Sequence, residues 1–159
     1  GVRSDLAATL AGAGGGTGMV LGQAQDISAE TASKPFTLDQ IIEMQGNKTG
    51  ALIEWSATAG ARLAQVNPTQ MRVYSKALGL AFQIADDILD VEGDSEKAGK
   101  KLGKDADAGK ATFVSLLGLQ GAKDRARALI ADAEAALDGY GPEADALRQA
   151  ARFVISRET

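Results

Sequence analysis

The 159 residues include 17 Lys and Arg against 21 Asp and Glu, giving a formal net charge of −4, and 45% of them are hydrophobic. This acidic balance argues against a nucleic-acid partner, because binding to a phosphate backbone requires a basic face. The sequence has no Cys and no His, which excludes disulfides, Cys/His zinc sites and Ser-His or Cys-His nucleophiles and leaves oxygen ligands that favour Mg²⁺, Mn²⁺ or Ca²⁺.

The length and hydrophobic fraction suit one globular domain or a large piece of one. No apolar run approaches the roughly 20 residues that span a bilayer, and no signal peptide is recognisable. We therefore expect a cytoplasmic protein without a membrane span.

Almost every segment has helical periodicity, so the predicted fold class is all-α. The first two helices are expected over about residues 3–12 and 17–30, separated by the glycine cluster AGAGGGTG. Thr37 and Gln40 form a capping-box pattern ahead of a helix predicted from about residue 38 to 64.

The next helix is predicted to begin at Asn67, with Pro68 in the first helical position, and to end near Gly93. Residues 93–110, GDSEKAGKKLGKDADAGK, are polar and rich in Gly and Lys, which favours a lid-like loop. Further helices are predicted in ATFVSLLGLQ, AKDRARALIADAEAALDGYG and PEADALRQAARFVISRE.

An acidic stripe crosses the helix that contains GLAFQIADDILD. At about 100° per residue, one arc about 100° wide contains Gln83, Asp86, Asp87 and Asp90. A separate apolar face contains Val73, Ala77, Leu80, Ala81, Ile84, Ile88 and Val91. Adjacent carboxylates repel one another unless a cation neutralises them. Because Mg²⁺ takes only one or two carboxylates and completes its shell with water and phosphate, the stripe predicts a metal that bridges protein and polyphosphate.

The acidic stripe is also compatible with roles other than magnesium binding. The aspartates could be solvated, or paired with lysines on a surface face. An EF-hand fits badly, because DILDVEGD lacks the required ligand spacing. A di-iron bundle site would need Glu-x-x-His, and the chain has no histidine.

Lysines suited to phosphate oxygens occur in two segments. Lys48 lies in GNKTG, and the polar stretch after the stripe supplies Lys100, Lys101, Lys104 and Lys110. A lysine ammonium is a compact point charge that binds phosphate oxygens well. We interpret Lys101 and Lys104 as ordinary surface charges.

Several motifs resemble those of the trans-polyprenyl diphosphate synthases. FQIADDILD resembles their second aspartate-rich motif, and GMVLGQAQD is similar to their GMVGGQxxD helix, with Leu21 replacing the more usual glycine. KTGALI resembles their KT motif, and GKKLGKDADAGKATFVSLLG resembles the segment after the second aspartate-rich motif. The ending ARFVISRET is similar to that of short-chain bacterial farnesyl diphosphate synthases. The resemblance covers the whole chain and implies a helical bundle of the isoprenoid synthase type.

The family's earlier aspartate-rich motif and its basic site for isopentenyl diphosphate are not found before Gly18. The chain therefore resembles the C-terminal half of a synthase, and we expect this half to be inactive alone and to need the missing N-terminal half. The resemblance implies an Mg²⁺-dependent transferase, with Mn²⁺ as the alternative. Such an enzyme condenses an allylic diphosphate with isopentenyl diphosphate to give farnesyl diphosphate, with geranylgeranyl diphosphate as the alternative product. A homodimer is also implied, as is released diphosphate as the base.

The resemblance also assigns roles to individual residues. The metal would be held by Asp86, Asp87 and Asp90. The allylic diphosphate would be held by Lys48, Lys100 and Lys110. The reaction centre would be lined by Gln23, Thr49 and Gln83 beside Lys48. Asp26 would orient a lysine or a metal-bound water, and Asp105 would do so from the lid.

Some of these residues have alternative roles. Gln23 and Asp26 could form an ordinary interhelical hydrogen bond, and the Thr49 hydroxyl could bond back to its own helix. The whole chain could instead be a non-catalytic synthase-like helical subunit, or a class I terpene cyclase, although KTGALI argues against the latter. AGAGGGTG and MQGNKTG imitate nucleotide-binding loops, but no predicted strand precedes either.

Overall fold

The computed structural model describes residues 1–97 and 111–157, and these residues contain helices and turns but no strand. The predicted all-α fold class is confirmed. The predicted lid-like loop falls mostly on residues 98–110, which lie outside the described residues.

Seven α-helices form the described bundle. In chain order they are α1 (Val2–Gly14), α2 (Met19–Glu30), α3 (Leu38–Gln45), α4 (Ala51–Leu63), α5 (Thr69–Lys97), α6 (Phe113–Ala135) and α7 (Asp145–Ser156). A five-residue π-helix, Gly46–Gly50, joins α3 to α4, and a short 3₁₀ turn, Pro142–Ala144, precedes α7. We call the Gly46–Gly50 segment the π turn.

The helix predicted over 38–64 is therefore interrupted, because the π turn inserts a wider loop of backbone between α3 and α4. Helix α5 also continues past the predicted end near Gly93 to Lys97. Both differences arise inside segments of correct helical periodicity, where the pattern of apolar residues alone does not mark a local change of backbone pitch.

The predicted start signal of α3 is present in the structure, whereas α5 begins at Thr69, one residue after the predicted first helical position at Pro68. The Gln40 amide donates to Thr37 Oγ1 at 3.3 Å, and the Thr37 amide donates to Gln40 Oε1 at 2.9 Å, which completes the capping box of α3. Asn67 Oδ1 accepts the Thr69 amide at 2.9 Å at the start of α5. These contacts satisfy amide groups that have no partner within the first turn of a helix.

The core lies mainly between α5 and α6, which pack more extensively than any other pair of described helices. Small buried side chains on both helices allow the two axes to approach closely. They are Ala77, Ala81 and Ala85 on α5 and Ala122, Ala126 and Ala133 on α6. Ile84 and Ile88 are buried as the apolar face predicts, but Val73 is 47% exposed and Tyr74 takes the buried position instead.

Helix α6 bends at Gly118, whose φ of 71° and ψ of 159° lie outside the helical region. Glycine adopts this conformation because it has no Cβ to clash with the backbone. Within the residues that the structure describes, no helix combines the length and apolarity needed to cross a membrane.

Candidate active site

The π turn is seated directly on α2. Gly22 of α2 is buried against the backbone of Asn47 and Lys48. On the same face, Asn47 Nδ2 donates to Gln25 Oε1 at 3.0 Å. The Lys48 ammonium donates to Asp26 Oδ2 at 2.7 Å. The turn that carries Lys48 and Thr49 is thus bound to α2 through backbone and side-chain contacts.

The ion pair between Asp26 and Lys48 is only partly open to solvent. The Asp26 side chain is 9% exposed and that of Lys48 is 34% exposed. A charged hydrogen bond in such surroundings is shorter and stronger than a neutral one. Asp26 therefore contacts a lysine directly, and this contact joins α2 to the π turn.

The π turn also touches α5. A Cβ atom on Gly79 would lie 3.5 Å from Gly50 Cα, an ordinary contact distance. Asp86 lies seven residues further along α5, about 10 Å along the helix axis at 1.5 Å per residue. The turn that carries Lys48 and Thr49 is therefore held between α2 and the helix that carries the acidic stripe.

The acidic stripe is already partly engaged. Asp86 forms an ion pair with Arg157, which follows α7. The Arg157 guanidinium also lies over the Phe82 ring, 4.3 Å from its centroid, and donates to the Phe82 carbonyl oxygen at 3.4 Å. Its side chain is 20% exposed. A cation thus occupies one end of the stripe, as the repulsion between neighbouring carboxylates would favour.

Asp87 makes a structural contact with the next helix. Its Oδ2 accepts the amide of Phe113 at 2.8 Å, at the first residue of α6. A carboxylate is favourable at this position, because the N-terminus of a helix carries unpaired amide groups and a partial positive charge. Asp87 therefore connects the acidic helix to the start of α6.

The remaining predicted residues differ in their surroundings. Asp90 is exposed and Gln83 is partly buried, both on α5, whereas Thr49 is partly buried in the π turn and Gln23 is exposed on α2. Lys100, Lys110 and Asp105 lie outside the described residues, as do Lys101 and Lys104. The structure thus places Asp26, Lys48 and Thr49 together, and keeps the stripe residues on one helix beside them.

The described acidic side chains offer only a partial metal site. Among the residues that the structure describes, no group of three or more acidic side chains is arranged to hold a metal ion. Asp86 and Asp90 are one helical turn apart on one side of α5, and Mg²⁺ needs only one or two carboxylates when phosphate supplies the rest. The described acids therefore do not form a three-aspartate cage. Asp86 and Asp90 together would fit a metal whose other ligands come from phosphate and water.

A cavity of about 280 Å³ opens beside Arg157, between α5, α6 and α7. Ala85, Ile88 and Val154 contribute apolar wall, and Lys123 binds Glu92 at 2.5 Å across its rim. Arg157 lines the cavity and also contacts Asp86, so one side chain borders both the cavity and the acidic stripe.

Sequence reasoning missed four residues of this site. Gly22 and Gln25 carried no signal beyond their place in GMVLGQAQD, and Asn47 carried none beyond its place in MQGNKTG. Arg157 is 71 residues from Asp86 in the chain, and no spacing rule joins residues that far apart.

Comparison with known proteins gives a consistent family. The family model described as Polyprenyl synthetase matches residues 10–139. Farnesyl diphosphate synthase of Geobacillus stearothermophilus is 39% identical over 160 residues, covering 99% of this chain and 53% of that protein. The structure of an FPP/GFPP synthase from Zymomonas mobilis is similar with a TM-score of 0.85 at 45% identity, covering 96% of this chain and 51% of that one.

A geranyltransferase from Helicobacter pylori, solved with magnesium and isoprenyl diphosphate, has a TM-score of 0.74 at 31% identity. The match covers 98% of this chain and 51% of that one. The chain thus spans about half the length of the relatives it matches.

Proposed function

The chain belongs to the polyprenyl synthetase family, and on this premise we propose that it forms the allylic-diphosphate and metal-binding part of a farnesyl diphosphate synthase. The all-α isoprenoid synthase fold expected from the resemblance is confirmed by the matching structures. The proposed reaction condenses an allylic diphosphate with isopentenyl diphosphate. Because the chain spans about half of its relatives, this activity is proposed for the chain joined to an N-terminal half like that of the relatives, and we expect the 159 residues alone to be inactive.

One observation carries this proposal. The π turn, which carries Lys48 and Thr49, is held against α5. The same helix carries Asp86 and Asp90. A lysine that binds diphosphate oxygens and carboxylates that hold a metal on those oxygens must lie within reach of one diphosphate group. Gly79, which meets the turn, and Asp86 are about 10 Å apart along α5, a span that a metal-bound diphosphate could cover.

The metal is proposed to be Mg²⁺, with Asp86 and Asp90 as ligands and Asp87 assisting directly or through water. When bound, Mg²⁺ neutralises charge on the diphosphate leaving group. The Helicobacter pylori relative was solved with magnesium and isoprenyl diphosphate, which supports the same cation here. Asp87 also holds the Phe113 amide, so its share in metal binding is expected to be smaller than that of Asp86.

The protein groups supply the remaining chemistry. The ammonium of Lys48, with Lys100 and Lys110, is proposed to bind the allylic diphosphate and to stabilise the negative charge that develops on the leaving group. The side-chain oxygens of Thr49 and Gln83, with Gln23, are proposed to face the allylic carbocation. As the resemblance to the family implies, the released diphosphate is proposed to accept the final proton, which agrees with the absence of histidine from the chain.

Helix α2 also presents apolar side chains to solvent, among them Val20 and Ile27. A contiguous exposed apolar surface commonly marks an interface. We propose that an N-terminal half like that of the relatives covers this face, with the second subunit of a homodimer as the alternative.

The experiment is a direct assay of prenyl transfer. The chain, joined to an N-terminal half like that of the relatives, is incubated with geranyl and isopentenyl diphosphates with and without Mg²⁺, and the products are separated by chain length. We expect farnesyl diphosphate only with Mg²⁺. Asp86→Ala should lower the rate at least about a hundredfold, whereas Asp138→Ala, at an exposed acid remote from the stripe, should leave it unchanged. A near-normal rate for Asp86→Ala would reject the metal assignment, and a C20 product would favour the geranylgeranyl alternative.

A second candidate is a non-catalytic synthase-like subunit. The observation that favours it is that Asp86 is already neutralised by Arg157 and that Asp87 holds the Phe113 amide. In that case the stripe would be a structural element. Absence of Mg²⁺-dependent product from the complete protein, together with normal folding, would support this candidate.

A further inference from the structure

Gly22 has a packing environment that only glycine can fit. A Cβ atom at this position would lie 2.1 Å from Lys48 N, 2.4 Å from Lys48 Cα and 2.7 Å from the carbonyl carbon of Asn47. All three are backbone atoms, so no rotation of a flexible side chain could relieve the overlap. A methyl group at Gly22 would therefore have to push the π turn away from α2.

Two neighbours on the same face of α2 hold the same turn. Residues three and four positions apart lie side by side on a helix, so Gln25 and Asp26 follow Gly22 on one surface. Gln25 binds the Asn47 side chain and Asp26 binds the Lys48 ammonium. We call Gly22, Gln25 and Asp26 the α2 seat.

The α2 seat is important because a chain does not readily adopt a π turn without tertiary contacts. Its hydrogen bonds span five residues and are less favourable than those of an α-helix, and such turns persist mainly where tertiary contacts or function require them. The turn continues into α3 and α4 with helical backbone on both sides. A contact from outside must therefore hold the wider turn in place.

We propose that Gly22 is a positioning residue for Lys48. By lacking a side chain, Gly22 lets the π turn approach α2 closely enough for Asp26 to fix the Lys48 ammonium. The functional part of this inference rests on the proposed role of Lys48 in binding diphosphate, whereas the structural part does not.

Two readouts separate positioning from simple packing. Amide hydrogen exchange over residues 46–50 reports whether the π turn stays seated, independently of any reaction. Calorimetric titration with inorganic diphosphate and Mg²⁺ reports whether Lys48 still reaches an anion. Gly46→Ala is the matched control, because it changes a glycine in the same turn where a Cβ would meet no atom within 4 Å.

For Gly22→Ala we expect faster exchange confined to residues 46–50 and about a tenfold loss of diphosphate affinity. Gly46→Ala should match the wild type in both measurements. Wild-type exchange and wild-type affinity in Gly22→Ala would overturn the proposal. So would a uniform rise in exchange across all helices, since that would show a general packing role.

A second variant keeps the inference testable if Gly22→Ala does not fold. Asp26→Asn keeps the size of the side chain and removes its charge, and should loosen the turn and weaken diphosphate binding in the same direction. Unchanged exchange in that variant would overturn the seat. If the wild type makes no prenyl diphosphate, the proposed function fails, but the exchange measurements still decide whether the seat holds the π turn.

Discussion

Arg157 is ion-paired with Asp86 although 71 residues separate them in the chain. The guanidinium contacts Asp86 Oδ1, one of the two oxygens that this carboxylate could offer to a metal ion. Its Nε is buried and has no hydrogen-bond partner among the described residues, so Arg157 is not fully satisfied in this position. A divalent cation at Asp86 would therefore compete with Arg157 for this carboxylate.

Removal of this competing cation should strengthen metal binding. We expect Arg157→Ala to raise the Mg²⁺ affinity about threefold, because partly exposed ion pairs contribute up to about 1 kcal/mol. Calorimetric titration with Mg²⁺ measures the change. Arg152→Ala is the control, since Arg152 lies on α7 and pairs with Glu134 instead. A weaker affinity in Arg157→Ala would mean that Arg157 supports the metal site rather than competing with it.

Asp87 should be needed for folding more than Asp86 is. Its carboxylate accepts the amide of Phe113, a residue only 1% exposed. Asp87→Ala leaves that amide without its acceptor and should lower the free energy of unfolding by about 1–3 kcal/mol. Asp87→Asn keeps an acceptor oxygen and should cost less. Urea unfolding measures both variants, and equal effects of Ala and Asn would argue against this contact.

The bend in α6 predicts opposite effects for two nearby glycines. Gly118 has a φ of 71°, where an alanine Cβ is strained, so Gly118→Ala should destabilise the fold by about 1–3 kcal/mol. Gly121 lies in regular helix, and a Cβ there would meet Leu117 at an ordinary 3.5 Å. Gly121→Ala should stabilise the helix by up to about 1 kcal/mol. Thermal unfolding of both variants tests the assignment. If neither variant loses stability, the assignment is contradicted.

Burial of Tyr74 predicts an alkaline limit to stability. Its hydroxyl donates to the Leu147 carbonyl at 2.9 Å, and desolvation by burial raises the pKa of the phenol. The folded state therefore holds this proton more tightly than the unfolded state does. The resulting stability is complete below the ordinary tyrosine pKa of about 10 and is lost as the pH rises through the raised folded pKa.

Tyr74→Phe should cost about 1 kcal/mol at neutral pH, because it removes one hydrogen bond. It should also abolish the loss of stability that Tyr74 causes above about pH 10. Urea unfolding between neutral and alkaline pH measures both effects, and Tyr140→Phe, at an exposed tyrosine, is the control. An identical alkaline profile in wild type and Tyr74→Phe would contradict the role of burial.

The fold could be predicted largely from local signals. Apolar periodicity identified the helices, and the Thr37–Gln40 capping box identified the start of α3, because both depend on residues within a turn or two of one another. The π turn escaped prediction, and the residue that packs most closely on it, Gly22, lies on a different helix. The helical periodicity of one segment carries no information about how a neighbouring helix packs against it.

The candidate site could be predicted only in part, because spacing in the sequence shows relationships within one helix but not between helices. The acidic stripe belongs to one helix and is visible from spacing alone, whereas the partners of its aspartates come from α6 and the end of α7. Such tertiary contacts depend on how helices pack, which no single stretch of sequence encodes. The lysines predicted downstream of the stripe, Lys100 and Lys110, stay predictions.

The pair formed by Asp26 and Lys48 should show measurable coupling in a double-mutant cycle. Asp26→Asn, Lys48→Met and the double variant are compared by urea unfolding, and we expect a coupling energy of about 1 kcal/mol, because the carboxylate is 9% exposed and the contact is 2.7 Å. The control cycle uses Asp124 and Arg127, an ion pair whose side chains are 60% and 58% exposed, and it should show almost none, since water screens such pairs. Equal coupling in the two cycles would mean that Asp26 does not fix the ammonium. Lys48 would then reach diphosphate as a flexible side chain, and the proposed role of Asp26 would be lost.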